Sequence, residues 1–85
     1  MPRAISPKYM DPKATQIQIQ LRTEANELYK LLPTPQVEDR VLNWYMDVDK
    51  LIRAGHLTQN QLELQRKFVE RMQQLFPNVP QPEFD

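Results

Sequence analysis

The chain has 85 residues, eleven Lys plus Arg against eleven Asp plus Glu, no cysteine, one glycine and eight prolines. This length accommodates one small domain with a thin stability margin, and without cysteine neither a disulfide nor a thiolate-bound zinc can staple it. A formal net charge of zero argues against nonspecific nucleic-acid binding and against adhesion to an anionic membrane, both of which draw on a basic excess. There is no apolar run of membrane-spanning length and no signal-like apolar segment at the start, so no membrane association is expected and the cytoplasm, or the interior of a virion or large complex, is the expected setting.

Met1 to Lys13 carries three prolines and a small positive excess from Arg3, Lys8 and Lys13. It reads as an extended arm over residues 1–11, in which Ile5, Tyr9 and Met10 are apolar residues without helical neighbours. Asp11-Pro12 is a cap followed by a first-turn proline, opening a helix over about residues 12–32. Ile17, Leu21, Ala25, Leu28 and Leu32 share a face of it. Thr15 to Leu21 also alternates with period two, a strand signal. Helix is preferred because the pattern beyond Leu21 is helical, no second strand is available for pairing, and Gln is a good helix former. Ile19 then lies off the core face.

Thr34-Pro35 repeats the cap and proline, and opens a second helix over about 35–54. Val37, Val41, Trp44, Val48 and Leu51 form one stripe, with Tyr45 and Ile52 beside it. Gly55 is placed as a left-handed C-terminal cap. Leu42 and Met46 fall on the far side of this helix. Together with Ile19 and the apolar residues of both ends, they form a candidate contact surface.

Thr58-Gln59-Asn60-Gln61 fits a capping box, with Leu57 and Leu62 placed as a hydrophobic staple. The third helix runs over about 58–76. It has two adjacent stripes: Leu62, Val69, Met72 and Phe76, then Leu64, Phe68 and Leu75. So wide an arc needs two neighbours, and a homodimer is one way to provide the second. Pro77 ends the helix. Residues 77–85 read as a proline-rich, acidic, polyproline-like tail in which Val79 and Phe84 are apolar.

The chemistry-bearing residues do not assemble into a site. His56 is the one histidine and has neither an orienting acid nor a nucleophile beside it. Asp47 and Asp49 lack the glycine and distal Glu of a calcium loop. They fit a helix surface better, where Asp49–Arg53 and Glu63–Lys67 are i, i+4 pairs. Leu51 to Phe68 superficially resembles a helix-turn-helix, with Gln59, Asn60, Gln61, Gln65, Arg66 and Lys67 as its contacts. Long helices and zero net charge count against it.

The sequence therefore predicts an all-α, antiparallel three-helix bundle: residues 12–76 as the core, with arms at 1–11 and 77–85. No catalytic, metal or cofactor site is expected. The expected function is non-enzymatic protein–protein interaction, as a small accessory subunit or adaptor of a larger assembly, possible in a viral or phage setting. Ile5, Tyr9, Met10, Ile19, Leu42, Met46 and Phe84 are its partner-binding candidates. The alternatives are a small inhibitor that occludes an enzyme and a helix-turn-helix DNA-binding protein.

Overall fold

A computed structural model of the chain describes residues 12–81. These form a compact bundle of three helices, α1 (Pro12–Leu28), α2 (Pro35–Arg53) and α3 (Gln59–Leu75), and contain no strand. Ile5, Tyr9, Met10, Asp11 and Phe84 lie outside the described residues.

Local chemistry sets the helix ends. The Thr34 hydroxyl accepts from the Val37 N–H at 3.3 Å, with Pro35 in the first turn. Thr58 makes the full reciprocal box: the Gln61 N–H donates to its hydroxyl at 3.2 Å, and its own N–H donates to the Gln61 side chain at 2.8 Å. At the end of α2, Gly55 takes a φ of +77°, and its N–H donates to Ile52 O at 3.1 Å. A Cβ there would meet nothing within 4 Å, so glycine is required by the backbone angle and not by crowding.

The first helix ends at Leu28, not at Leu32. Pro33 disfavours the helical conformation at Leu32, and the backbone tightens beforehand. Lys30 N–H donates to Glu27 O, and Leu31 N–H to Leu28 O, both three residues back. The apolar stripe loses its last member as a result. Leu32 is 79% exposed, where periodicity had placed it in the core.

The core draws Leu21, Ala25 and Leu28 from α1, Val41, Trp44, Tyr45, Val48 and Leu51 from α2, and Val69 and Met72 from α3, closed by Phe76. Trp44 can be fully enclosed because its indole N–H donates to Leu21 O at 2.8 Å, so its one polar atom is not left without a partner. Beyond α3 the chain turns, with the Val79 N–H on Phe76 O at 3.1 Å, and Val79 is buried. The start of the segment read as a polyproline tail therefore belongs to the folded body.

Two polar residues are buried with this core. Gln18 is 4% exposed and donates to Gln61 O at 3.2 Å. Gln65 is 1% exposed, and neither its amide nitrogen nor its amide oxygen has a hydrogen-bond partner among the described residues.

Candidate docking site

A groove of about 480 Å³ lies between α1 and α2. Its apolar lining is Ala14, Ile17 and Leu21 from α1, with Leu51 and Ala54 from the end of α2. Ile17 belongs to the predicted core stripe yet is 38% exposed, so part of that stripe is left uncovered. Two of the lining residues are alanines. At positions 14 and 54 the lining side chains are a single methyl group.

Charge is divided along the groove. Lys13, Lys50 and His56 lie toward the start of α1 and the end of α2, while Glu24 and Asp47 lie toward the middle of the bundle. Burial pushes the Glu24 carboxyl above its ordinary value of 4.5. Arg40 pulls it back down, and Asp47 and Glu27 add to the rise. Neither Glu24 nor Asp47 accepts a hydrogen bond or closes an ion pair among the described residues. The groove thus offers an apolar lining and one end that carries two carboxylates, with Arg40 acting on Glu24 more strongly than Asp47 does.

A second, more open surface joins α1 to α3. The rings of Tyr29 and Phe68 stack with centroids 6.2 Å apart and planes 10° apart, and the Arg71 guanidinium lies 5.2 Å from the Tyr29 centroid. The Tyr29 hydroxyl donates to Phe68 O at 2.9 Å. Burial pushes its pKa up to about 12, against the pull of Arg71. Lys30 and Lys67 line the same hollow.

Three of the residues selected from sequence as contacts fall among the described residues. Ile19 and Met46 are half exposed, at 48% and 49%. Leu42 is partly buried and packs against the core. None of the three lines the groove. Ile5, Tyr9, Met10 and Phe84 fall outside the described residues. The predicted Asp49–Arg53 pair forms, with the Arg53 Nε at 3.0 and 2.9 Å from the two carboxylate oxygens, whereas no Glu63–Lys67 pair is made. No group of three or more potential metal ligands occurs among the described residues. Of the proposed helix-turn-helix contacts, Gln65 is buried and Gln61 is held in the capping box.

No family model matches the chain, and no curated protein or solved structure matches it significantly. No described helix is long and apolar enough to cross a membrane.

Proposed function

We propose that the chain is a non-enzymatic protein–protein interaction module, an accessory subunit or adaptor, and that it receives a segment of its partner in the α1–α2 groove. The observation that carries this reading is the groove lined by Ile17, Leu21 and Leu51, in which Ile17 is 38% exposed, flanked by charges of both signs. An apolar strip lined by core-type residues gains free energy when covered, at about 25 cal/mol for each Å² removed from water. The charged rim supplies register. Short connections at 29–34 and 54–58 favour helices that alternate in direction, which makes the groove a seam between antiparallel neighbours. A partner helix seated there would extend the bundle by one member, with anchors spaced i, i+3, i+4. Ile19 and Met46, on other faces, serve as secondary contacts in this reading.

Photo-crosslinking from position 17 in the source cell tests this. The full chain should crosslink to one protein in stoichiometric amount. Ala54→Arg should abolish that crosslink, and Gln73→Lys, on an exposed part of α3, should leave it intact. If the same protein is recovered at full yield with Ala54→Arg, the groove is not the docking surface.

A further inference from the structure

We infer that the hollow between α1 and α3 is a second docking surface, and that it takes a short acidic segment of a partner protein, with Lys30, Lys67 and Arg71 holding the carboxylates. The inference goes beyond the α1–α2 groove. It concerns a different pair of helices and a different chemistry, since the groove carries charges of both signs and the hollow carries bases alone.

The first support is the lining. The hollow, about 720 Å³, is bounded by Asn26 of α1, by Tyr29 and Lys30 just past the end of that helix, and by Lys67, Phe68 and Arg71 of α3. Half of these residues are basic and none is acidic, in a chain whose charges balance overall. Lys67 and Arg71 are four residues apart on α3, so they project from one side of it, about 6 Å apart along the axis at ~1.5 Å per residue. All three bases are exposed, and among the described residues none of them closes an ion pair.

The second support is preorganisation. Tyr29 is fixed from two directions, by its stack on Phe68 and by its hydroxyl on Phe68 O at 2.9 Å. Its ring in turn holds the Arg71 guanidinium at 5.2 Å from the centroid. A guanidinium presents a planar fork that matches a carboxylate with two parallel hydrogen bonds, and one already placed by a neighbouring ring loses less freedom when the carboxylate arrives.

The surroundings select the size and class of the occupant. Glu63 and Glu70, four before and three after Lys67, share its side of α3, and Glu27 lies three before Lys30. A few carboxylates fit among the three bases, whereas a long polyanion would run on into these acids. A nucleic-acid strand carries a charge at every nucleotide and draws its affinity from many basic contacts, and attachment to an anionic membrane draws on clusters of about four to eight Lys and Arg. Three bases fenced by acids match an acidic peptide better than either.

The test is an NMR titration of the isotope-labelled full chain with hexaglutamate at low salt. The signals of Asn26, Lys30, Lys67 and Arg71 should shift and saturate, while those of Lys50 and Arg53 on α2 stay in place, and hexaglutamine should shift none of them. Lys30→Glu/Lys67→Glu, at two exposed positions, should weaken binding on the order of tenfold, and Lys30→Arg/Lys67→Arg should retain it. Undiminished binding to the charge-reversed variant overturns the inference, as do shifts spread evenly over the basic residues of all three helices. A thymidine hexanucleotide that binds the same residues more tightly than hexaglutamate overturns it in favour of nucleic acid. Hollow signals that shift with the concentration of the chain itself, and not with the peptide, overturn it in favour of a second copy. Ala54→Arg should leave the titration unchanged, so failure here leaves the α1–α2 groove reading standing, and loss of the Ala54-dependent crosslink leaves this one.

Discussion

Helix α1 has two interfaces, and they are built differently. Toward α2 it presents Leu21, Ala25 and Leu28 to Trp44 and Val48, and the one polar atom that a large aromatic must place, the indole N–H, lands on Leu21 O at 2.8 Å. Toward α3 it presents Thr15, Gln18 and Tyr29. Gln18 donates to Gln61 O, and the Gln61 side chain reaches Thr15 at a marginal 3.5 Å. Gln65 sits one turn farther along α3 with both amide atoms unbonded among the described residues. Toward α2 the polar contact of α1 is the single indole bond in an apolar surround, and toward α3 its contacts are mostly polar, on a helix that also carries the buried, unbonded Gln65 amide. Buried polar groups specify an arrangement when all of them are bonded and weaken it when some are not. Stability is therefore expected to concentrate at the α1–α2 interface, while α3 is the helix held less firmly.

The largest expected effect lies at the apolar interface. Trp44→Ala removes the largest enclosed side chain and leaves the Leu21 carbonyl with one donor fewer. Truncations of this kind cost about 3–5 kcal/mol. Small domains sit toward the low end of the usual ~5–15 kcal/mol. The variant should be mostly unfolded at 25 °C by circular dichroism. A cooperative melt within a few degrees of the parent would show that α2 is not the centre of the bundle.

At the polar interface the sign reverses. Gln65→Met keeps the volume and removes two unsatisfied atoms, each of which costs about 1–3 kcal/mol to leave unbonded in the interior. The variant should be more stable by about 1–3 kcal/mol, raising the melting temperature by several degrees in a domain of this size. A loss of stability would mean that the amide is satisfied in solution, and the contrast between the two interfaces would fail.

Much of this architecture is legible in the sequence because it is local. The Thr34 and Thr58 caps, the Gln61 return bond and Gly55 each depend on residues within three positions, and all of them form as read. The α2 stripe is equally plain, since every member is apolar at helical spacing. What is hidden is non-local or disguised by residue type. Gln18 and Gln65 occupy core positions of their helices but carry polar side chains, and nothing in their surroundings in sequence reveals burial. Val79 looks like an apolar residue in a tail, because the turn that buries it after Phe76 is fixed by tertiary packing. The groove was masked by a reading that was nearly right. Ile17 keeps the spacing of the core stripe, but periodicity cannot show that it lines a groove and stays 38% exposed. Leu32 keeps the stripe's spacing, but the helix ends at Leu28, ahead of Pro33, and leaves it exposed.

Tyr29 gives the finest discrimination, because it is the best-bonded group of the weaker interface. Tyr29→Phe retains the stack on Phe68 and deletes the hydrogen bond to Phe68 O, a loss of about 0.5–1.5 kcal/mol. The pH dependence separates this hydroxyl from a general packing effect. Its folded pKa is raised to about 12 from the ordinary 10, so between those values the folded chain keeps a proton that the unfolded chain releases. Stability from this group is complete below pH 10 and is lost as pH rises toward 12. Denaturant melts across that window should fall more steeply for the parent than for Tyr29→Phe. Tyr45, which burial also raises, adds the same slope to both. Parallel slopes would mean that the Tyr29 phenol titrates alike in the folded and unfolded chains, and that its bond to α3 opens too readily to hold the helix. The weaker interface would then rest on the Gln18 and Gln61 bonds alone.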